Sequence, residues 1–546
     1  MTRFRSSCRL LAACSVVAAA TLTLDAQGIT SKDLLDGLAN PSRWLTYSGD
    51  YSGRRHSPLT QITPANASQL AAQWTFQTGV AGKFEATPLV VDGVLYVGGA
   101  MNNAWAIDGR TGRQIWRYQR PVPDGLKACC GLVNRGLAIS GDRVFMATLD
   151  AYLVALDAKT GTVVWETQIA DYRQGYASTG APLVVKDKII TGIAGGEFAI
   201  RGFLDAYDVT TGQQAWRFWT VPTPGEPGSE TWPKEVSSWE RGGAPTWLTG
   251  SYDPELNTVY WGTGNPSPDF FGDDRKGDNL YSGSLIALDA DTGRLKWHFQ
   301  FTPHDVHDWD ANQIPVLADL TIAGQPLKAV IVANRNGFLY VLDRVSGKFV
   351  QAQPFIHQTW AAEIGPDGRP IERPEQRPTA TGTLTCPDLF GGTNFMSPSF
   401  DPATGLLYVS ARETCQVYFA EAPPAGYKAG DRTMGGRVAR APDTEPSGAL
   451  RAIDPITGER KWEIKHAMPS WAGVLTTASG VVFSGDNDGH VLAADSKSGQ
   501  QLWRYQTGAA IYAPPTTYMI DGRQYLVMPA GMTLTAFALP MAATTQ

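Results

Sequence analysis

The stretch Thr302-Pro-His304-Asp305-Val-His307-Asp308-Trp309-Asp310 gathers three carboxylates and two imidazoles within nine residues. A carboxylate can take a proton from a substrate hydroxyl or ligate a hard cation, whereas a histidine pair such as His304 and His307 suits zinc or copper. Elsewhere, Ala194-Gly195-Gly196-Glu197 and Gly262-Thr-Gly-Asn265-Pro offer a carboxylate and an amide oxygen beside glycines that let backbone approach a ligand closely. Oxygen ligands favour the hard cation over the histidine reading. Taken singly, each feature is also an ordinary one: Glu197 reads equally as a solvated carboxylate in a turn, and Asn265 before proline as a turn former. Cys129 and Cys130 are adjacent. A disulfide between neighbours closes an eight-membered ring and strains the peptide between them, which makes it a poor general stabiliser; two free or separately bonded thiols are the other reading.

The elements that must position these groups announce themselves by repetition. Six segments follow A-x-D-x-x-[T/S]-G-x-x-x-W, centred on Asp108, Asp157, Asp208, Asp289, Asp454 and Asp495, with Trp116, Trp165, Trp216, Trp297, Trp462 and Trp503 eight residues on. Each reads as an apolar strand, a turn closed by Gly, and a second strand carrying the Trp. A degenerate seventh copy keeps Asp343, Ser346 and Gly347 but has Gln351 in place of Trp. Trp74, paired with C-terminal strands around Tyr525 to Phe537, supplies an eighth sheet. The prediction is an all-β, eight-bladed β-propeller whose Trp residues dock neighbouring blades, with no catalytic role for the repeat itself.

The 57 Gly, 36 Pro and 17 Trp, with 18% charged residues, fit turn-rich β structure. A net charge of −6 without a basic run argues against nucleic acid and anionic membrane as partners. Arg3, Arg5 and Arg9 precede an apolar run from Leu10 to Leu24 and then Asp25-Ala26-Gln27, the pattern of a signal peptide over 1–26, leaving 27–546 as a single propeller domain. The run is too short to span a bilayer, and the lipoprotein-like Leu-Ala-Ala-Cys14 is the weaker reading of it. An exported chain with four remaining cysteines is expected to form disulfides.

The repeat resembles the tryptophan-docking motif of the quinoprotein alcohol dehydrogenases, over nearly all of 27–546. The resemblance implies oxidation of a small primary alcohol with pyrroloquinoline quinone (PQQ) and one metal ion. Cys-Cys-x-x-x-Asn-Arg135-Gly is similar to the family segment whose vicinal disulfide lies against the quinone, with Arg135 near a cofactor carboxylate; Trp247 matches the residue stacked on the opposite face. Glu85, Thr179, Gly195, Gly196, Arg335, Asn394 and Trp471 fall where the family contacts PQQ, although relatives often carry a hydroxyl residue where Ala194 stands. Glu197, Asn265 and Asp308 match the metal ligands, Asp308 being also the catalytic carboxylate. Asp310 resembles the second aspartate of lanthanide-dependent relatives, which implies a lanthanide, with calcium as alternative. Cys386 and Cys415, 29 residues apart, are expected to form an ordinary disulfide that braces the enlarged region before Asp454. No Gly-x-Gly-x-x-Gly opens a βαβ unit, and no Cys-x-x-Cys-His attaches haem. Electrons are therefore expected to leave to a separate soluble cytochrome c in the periplasm; a homodimer stays open. The competing class is a cofactor-free propeller scaffold or an inactive relative. The loop from Glu421 to Gly448, rich in Pro, Gly and charge, could cover the funnel or dock a partner, with plain solvated surface the favoured reading.

Overall fold

The computed structural model describes residues 28–234 and 237–541; the predicted signal segment 1–26 lies outside them. Helix among the described residues amounts to the six-residue Ser31–Asp36 and short 3-10 turns, and strands dominate. Eight mainly antiparallel sheets have at least four strands, and two smaller ones lie within 361–440. The last four-stranded sheet joins Thr516–Ile520, Arg523–Ala530 and Thr533–Ala538 to Ala71–Gln77, so residues from both ends of the described chain share one sheet. No helix among the described residues is long and apolar enough to cross a membrane.

The repeat builds one hairpin per copy by local chemistry. In the copy at Asp157, the strand Tyr152–Asp157 is buried on both faces at Leu153, Val154, Ala155 and Leu156. The chain then turns because Asp157 Oδ1 accepts hydrogen bonds from the backbone N–H groups of Lys159 (3.0 Å) and Thr160 (2.8 Å). Gly161 follows at φ +72°, a conformation that costs glycine little, and the pairing with Val163–Gln168 shifts register between Ala155 and Leu156. Asp108, Asp208, Asp289, Asp343, Asp454 and Asp495 accept the same pair of backbone bonds at i+2 and i+3.

The indoles reach across to the next hairpin. A Cβ added to Gly161 would lie 2.7 Å from the Trp116 ring, and Trp116 Nε1 donates to Ala158 O at 2.9 Å. Trp216 donates to Ala290 O, Trp462 to Ser496 O, Trp74 to Gly109 O and Trp503 to Leu70 O. Trp165 packs on Gly212 and Trp297 on Gly347. Where the seventh copy lacks Trp, Gln351 Nε2 donates to Pro455 O instead. An apolar core spanning residues from Trp44 to Ala538 joins the first and last sheets.

Candidate active site

A cavity of about 630 Å³ opens where loops from many sheets converge, within the size range of small-ligand sites. All fifteen residues expected at the site line it: Glu85, Cys129, Cys130, Arg135, Thr179, Gly195, Gly196, Glu197, Trp247, Asn265, Asp308, Asp310, Arg335, Asn394 and Trp471.

The acidic wall is held by the 305–310 loop. Asp305, buried, accepts from the N–H groups of His307 (2.9 Å) and Trp309 (2.7 Å), which folds the chain back on itself. Trp309 is anchored by its indole N–H to Asp388 O (3.0 Å). Asp308 sits at φ +64°, a strained conformation for a residue with a Cβ, so the loop over-determines where its carboxylate goes. Asp310 Oδ1 accepts from Asn265 N (2.6 Å) and its Oδ2 from Trp247 Nε1 (2.9 Å). Arg335 forms an ion pair with Asp310 and lies 3.7 Å from Asp308 Oδ2.

On the other side Cys129 and Cys130 are joined by a disulfide, with the Glu197 carboxylate within 4.8 Å of both sulfurs. Glu197 rides a 3-10 turn, Gly196–Phe198, which begins at Gly195 in a conformation (φ +124°) that only glycine holds comfortably against Gly175 O. Arg135 pairs with Glu85 (2.8 Å), donates to Thr179 Oγ1 (2.8 Å), and its guanidinium lies 4.8 Å above the Trp247 ring. Trp471 stacks on Phe395 (centroids 5.5 Å apart) under the Arg412 guanidinium.

Charge in the acidic wall is out of balance. Glu197, Asp269, Asp308 and Asp310 are in mutual electrostatic range, and two buried guanidinium groups reach these four carboxylates: Arg335, beside Asp310 and Asp308, and Arg275, which acts on Asp269. Burial, reinforced by neighbouring carboxylates, pushes Asp308 and Asp269 well above the usual carboxylate range despite the opposing pull of Arg335 on Asp308 and, on Asp269, of the Asn265 hydrogen bond and Arg275. Burial likewise raises Glu197 and Glu85. Clustered carboxylates ionise fully in a desolvated site only when a cation joins them, so this donor set of carboxylates and one amide fits a hard metal ion. The Nε atoms of Arg135 and Arg335, buried with no partner among the described residues, add donors suited to an anionic ligand.

The surroundings of the site agree with the sequence reading in part and depart from it in part. His304 and His307 do not line the cavity; they point toward a separate small crevice, where His304 Nδ1 lies 2.8 Å from Gly277 O and His307 Nε2 3.1 Å from Gln376 O. Burial lowers both to about 4, consistent with neutral imidazoles serving structure. The loop from Glu421 to Gly448 is not simply solvated surface: Arg432, Met434, Gly436, Arg437 and Val438 form part of the cavity wall, because Thr433 N bonds to Glu197 O (2.8 Å) and Phe270 N to Met434 O (2.8 Å). Asn394 spends its side chain locally, donating to Phe390 O and accepting from Phe395 N, so it shapes the loop rim. Lys83, Lys127 and Phe390 also line the cavity. A disulfide joins Cys386 to Cys415 as expected, clipping Thr383–Thr385 to Gln416–Ala420.

Residues 44–353 and 444–526 match the PQQ family described as the glucose/ethanol/alcohol dehydrogenase β-propeller domain. A quinoprotein alcohol dehydrogenase of Pseudomonas putida is 39% identical over 557 residues, covering 96% of this chain and 93% of the relative. A lanthanide-dependent methanol dehydrogenase of Methylacidiphilum fumariolicum is 38% identical over 526 residues, covering 90% and 85%. Among solved structures, a europium-containing methanol dehydrogenase superposes with a TM-score of 0.87 at 35% identity, covering 93% of this chain and 100% of the other. With the vicinal disulfide, the acidic wall and these matches together, the chain belongs to the PQQ-dependent, or quinoprotein, alcohol dehydrogenase family.

Proposed function

We propose that the chain is a periplasmic dehydrogenase that oxidises a primary alcohol to an aldehyde, with PQQ in the 630 Å³ cavity and a lanthanide ion at the acidic wall. The observation that carries this reading is the cluster of Glu197, Asp269, Asp308 and Asp310, with more carboxylates than buried guanidinium groups, next to the Cys129–Cys130 disulfide. When bound, the quinone supplies a two-electron acceptor for the hydride leaving the alcohol carbon, and the ion polarises the oxygens around it.

The chain's own residues do the rest. Asp308, ionised beside a cation and held rigid by the Asp305 turn, takes the hydroxyl proton of the alcohol. Arg335, reaching Asp310 and Asp308, would supply positive charge against the negative charge that develops on a bound acceptor. Glu197, Asn265, Asp308 and Asp310 would hold the ion, and Asp310 supplies the extra negative charge that favours a trivalent lanthanide over calcium. Trp247 and the disulfide would clamp the planar cofactor from its two faces, while Arg135, Thr179 and Glu85 would meet its carboxylates and the Gly195-Gly196 backbone would pass close to its edge. Trp471 and Asn394 line the same cavity.

Eight sheets, each reaching the next through an indole or Gln351, support an eight-bladed ring closed by Trp74 and Trp503. The two disulfides accord with an oxidising compartment reached through a signal peptide at 1–26. With no Cys-x-x-Cys-His in the sequence, a separate cytochrome c is the proposed electron acceptor. Dye-linked oxidation of ethanol and methanol by the chain reconstituted with PQQ and either La³⁺ or Ca²⁺ tests the reading. Activity with La³⁺ that Asp310→Ala abolishes is expected; activity with Ca²⁺ indifferent to Asp310 would discard the lanthanide, and no PQQ binding with either ion would discard the mechanism.

A further inference from the structure

Asp269 is the carboxylate of the acidic wall that no motif singles out. It is fully buried, and its Oδ2 has no hydrogen-bond partner among the described residues. Its Oδ1 accepts from Asn265 Nδ2 at 2.8 Å, four residues back in Asn265-Pro-Ser-Pro-Asp269. The same Nδ2 donates to Pro266 O at 3.2 Å. A side-chain amide has one accepting and one donating edge, and the donating NH₂ edge of Asn265 is taken up by Asp269 Oδ1 and Pro266 O. The amide is thereby fixed with Oδ1 on the opposite side, where a Cβ on Gly196 would lie 3.0 Å from it. Gly196 and Asn265 both line the cavity next to Glu197.

We infer that Asp269 is a positioning residue of the metal centre: it holds the Asn265 amide so that its oxygen, and not its nitrogen, faces the ion. This rests on the metal reading given above. Without Asp269 the amide can turn over and present an N–H edge that repels a cation, and groups that orient ligands in this way typically change metal affinity about 10–100-fold. The backbone around the pair is independently secured, because Asn265 N donates to Asp310 and Phe270 N to Met434 O, so the side chain at 269 can be changed with the loop still anchored.

The test is calorimetric titration of the full PQQ-loaded, metal-stripped chain with La³⁺ and, separately, Ca²⁺, alongside thermal melts of the metal-free proteins to select variants that fold. Asp269→Ala is expected to weaken both ions about tenfold or more. Asp269→Asn retains an acceptor at the same place and is expected to bind within about threefold of the unaltered chain, a rescue that a charge effect would not give. In an Asn265→Ala background, Asp269→Ala should add little further loss, since its partner is already gone. Unaltered affinity in Asp269→Ala, or an equal defect in Asp269→Asn, would overturn the positioning role while leaving the metal reading intact. Failure of the unaltered chain to bind either ion would overturn the metal reading, and this inference with it.

Discussion

The turns of the repeat and the acidic wall of the cavity use the same residue, aspartate, to opposite ends. At Asp157 the carboxylate is near the surface and saturated by two backbone N–H groups and the Thr160 hydroxyl, and those bonds hold it below the usual carboxylate range. Asp308 is buried, sits in a strained backbone conformation, and is pushed far the other way by burial and by carboxylate neighbours. Hydrogen bonds to the charged form make the first aspartate a fold-stabilising element; desolvation with too few positive partners makes the second a liability for the empty chain. One region is complete by itself, and the other is built to be completed by what it binds.

The sharpest way to separate the two regions is to change one aspartate or indole of each. Asp308→Asn is expected to lower kcat/KM for alcohol by about a thousandfold or more, the scale of a lost general base, while the melting temperature of the metal-free chain holds or rises because mutual repulsion falls. A large loss of stability in this variant would erase the distinction. Trp216→Ala should do the converse. It removes an almost fully buried indole that packs on Gly293 and donates to Ala290 O, and should cost about 3–5 kcal/mol in denaturant unfolding while the folded fraction still binds PQQ. Saturation with La³⁺ offers the gentlest contrast: at about a hundredfold excess over its Kd it should stabilise the unaltered chain by about 2.7 kcal/mol in the same assay. The increment should survive in Trp216→Ala and vanish in Asp308→Asn combined with Glu197→Gln. An equal gain in that double variant would place the ion elsewhere.

How much of this is legible in the sequence differs between the regions for the same reason. The hairpin at Asp157 is readable because its contacts fall within a dozen residues: Asp at the strand end, Gly four on, Trp eight on. In the site, the 302–310 segment and Cys129-Cys130 are conspicuous as clusters, and the remaining expected residues rose above their ordinary readings only through their order along the chain. Asp269 carries no signal because a lone aspartate after Ser-Pro has no pattern; its meaning is its contact with Asn265 and an Oδ2 with no hydrogen-bond partner among the described residues. At the 421–448 loop, composition favours solvated surface over a cover for the funnel because Pro, Gly and charge describe solvated loops on average, whereas Thr433 and Met434 are pinned by backbone bonds to Glu197 and Phe270. His304 and His307 look like ligands by type, yet their ring nitrogens are directed at Gly277 and Gln376.

By itself the sequence determined the all-β repeat, the turn chemistry at each Asp and Gly, and which residue types were on hand for a hard cation and a planar anionic cofactor. Those follow from interactions between neighbours in the chain. Only the tertiary structure decided that residues as far apart as Lys83 and Trp471 share one cavity, that Arg335 faces both Asp308 and Asp310, and which edge of Asn265 points inward. Those depend on burial and on long-range proximity, and the electrostatic strength of a charge is set by what surrounds it in space, which no local spacing encodes.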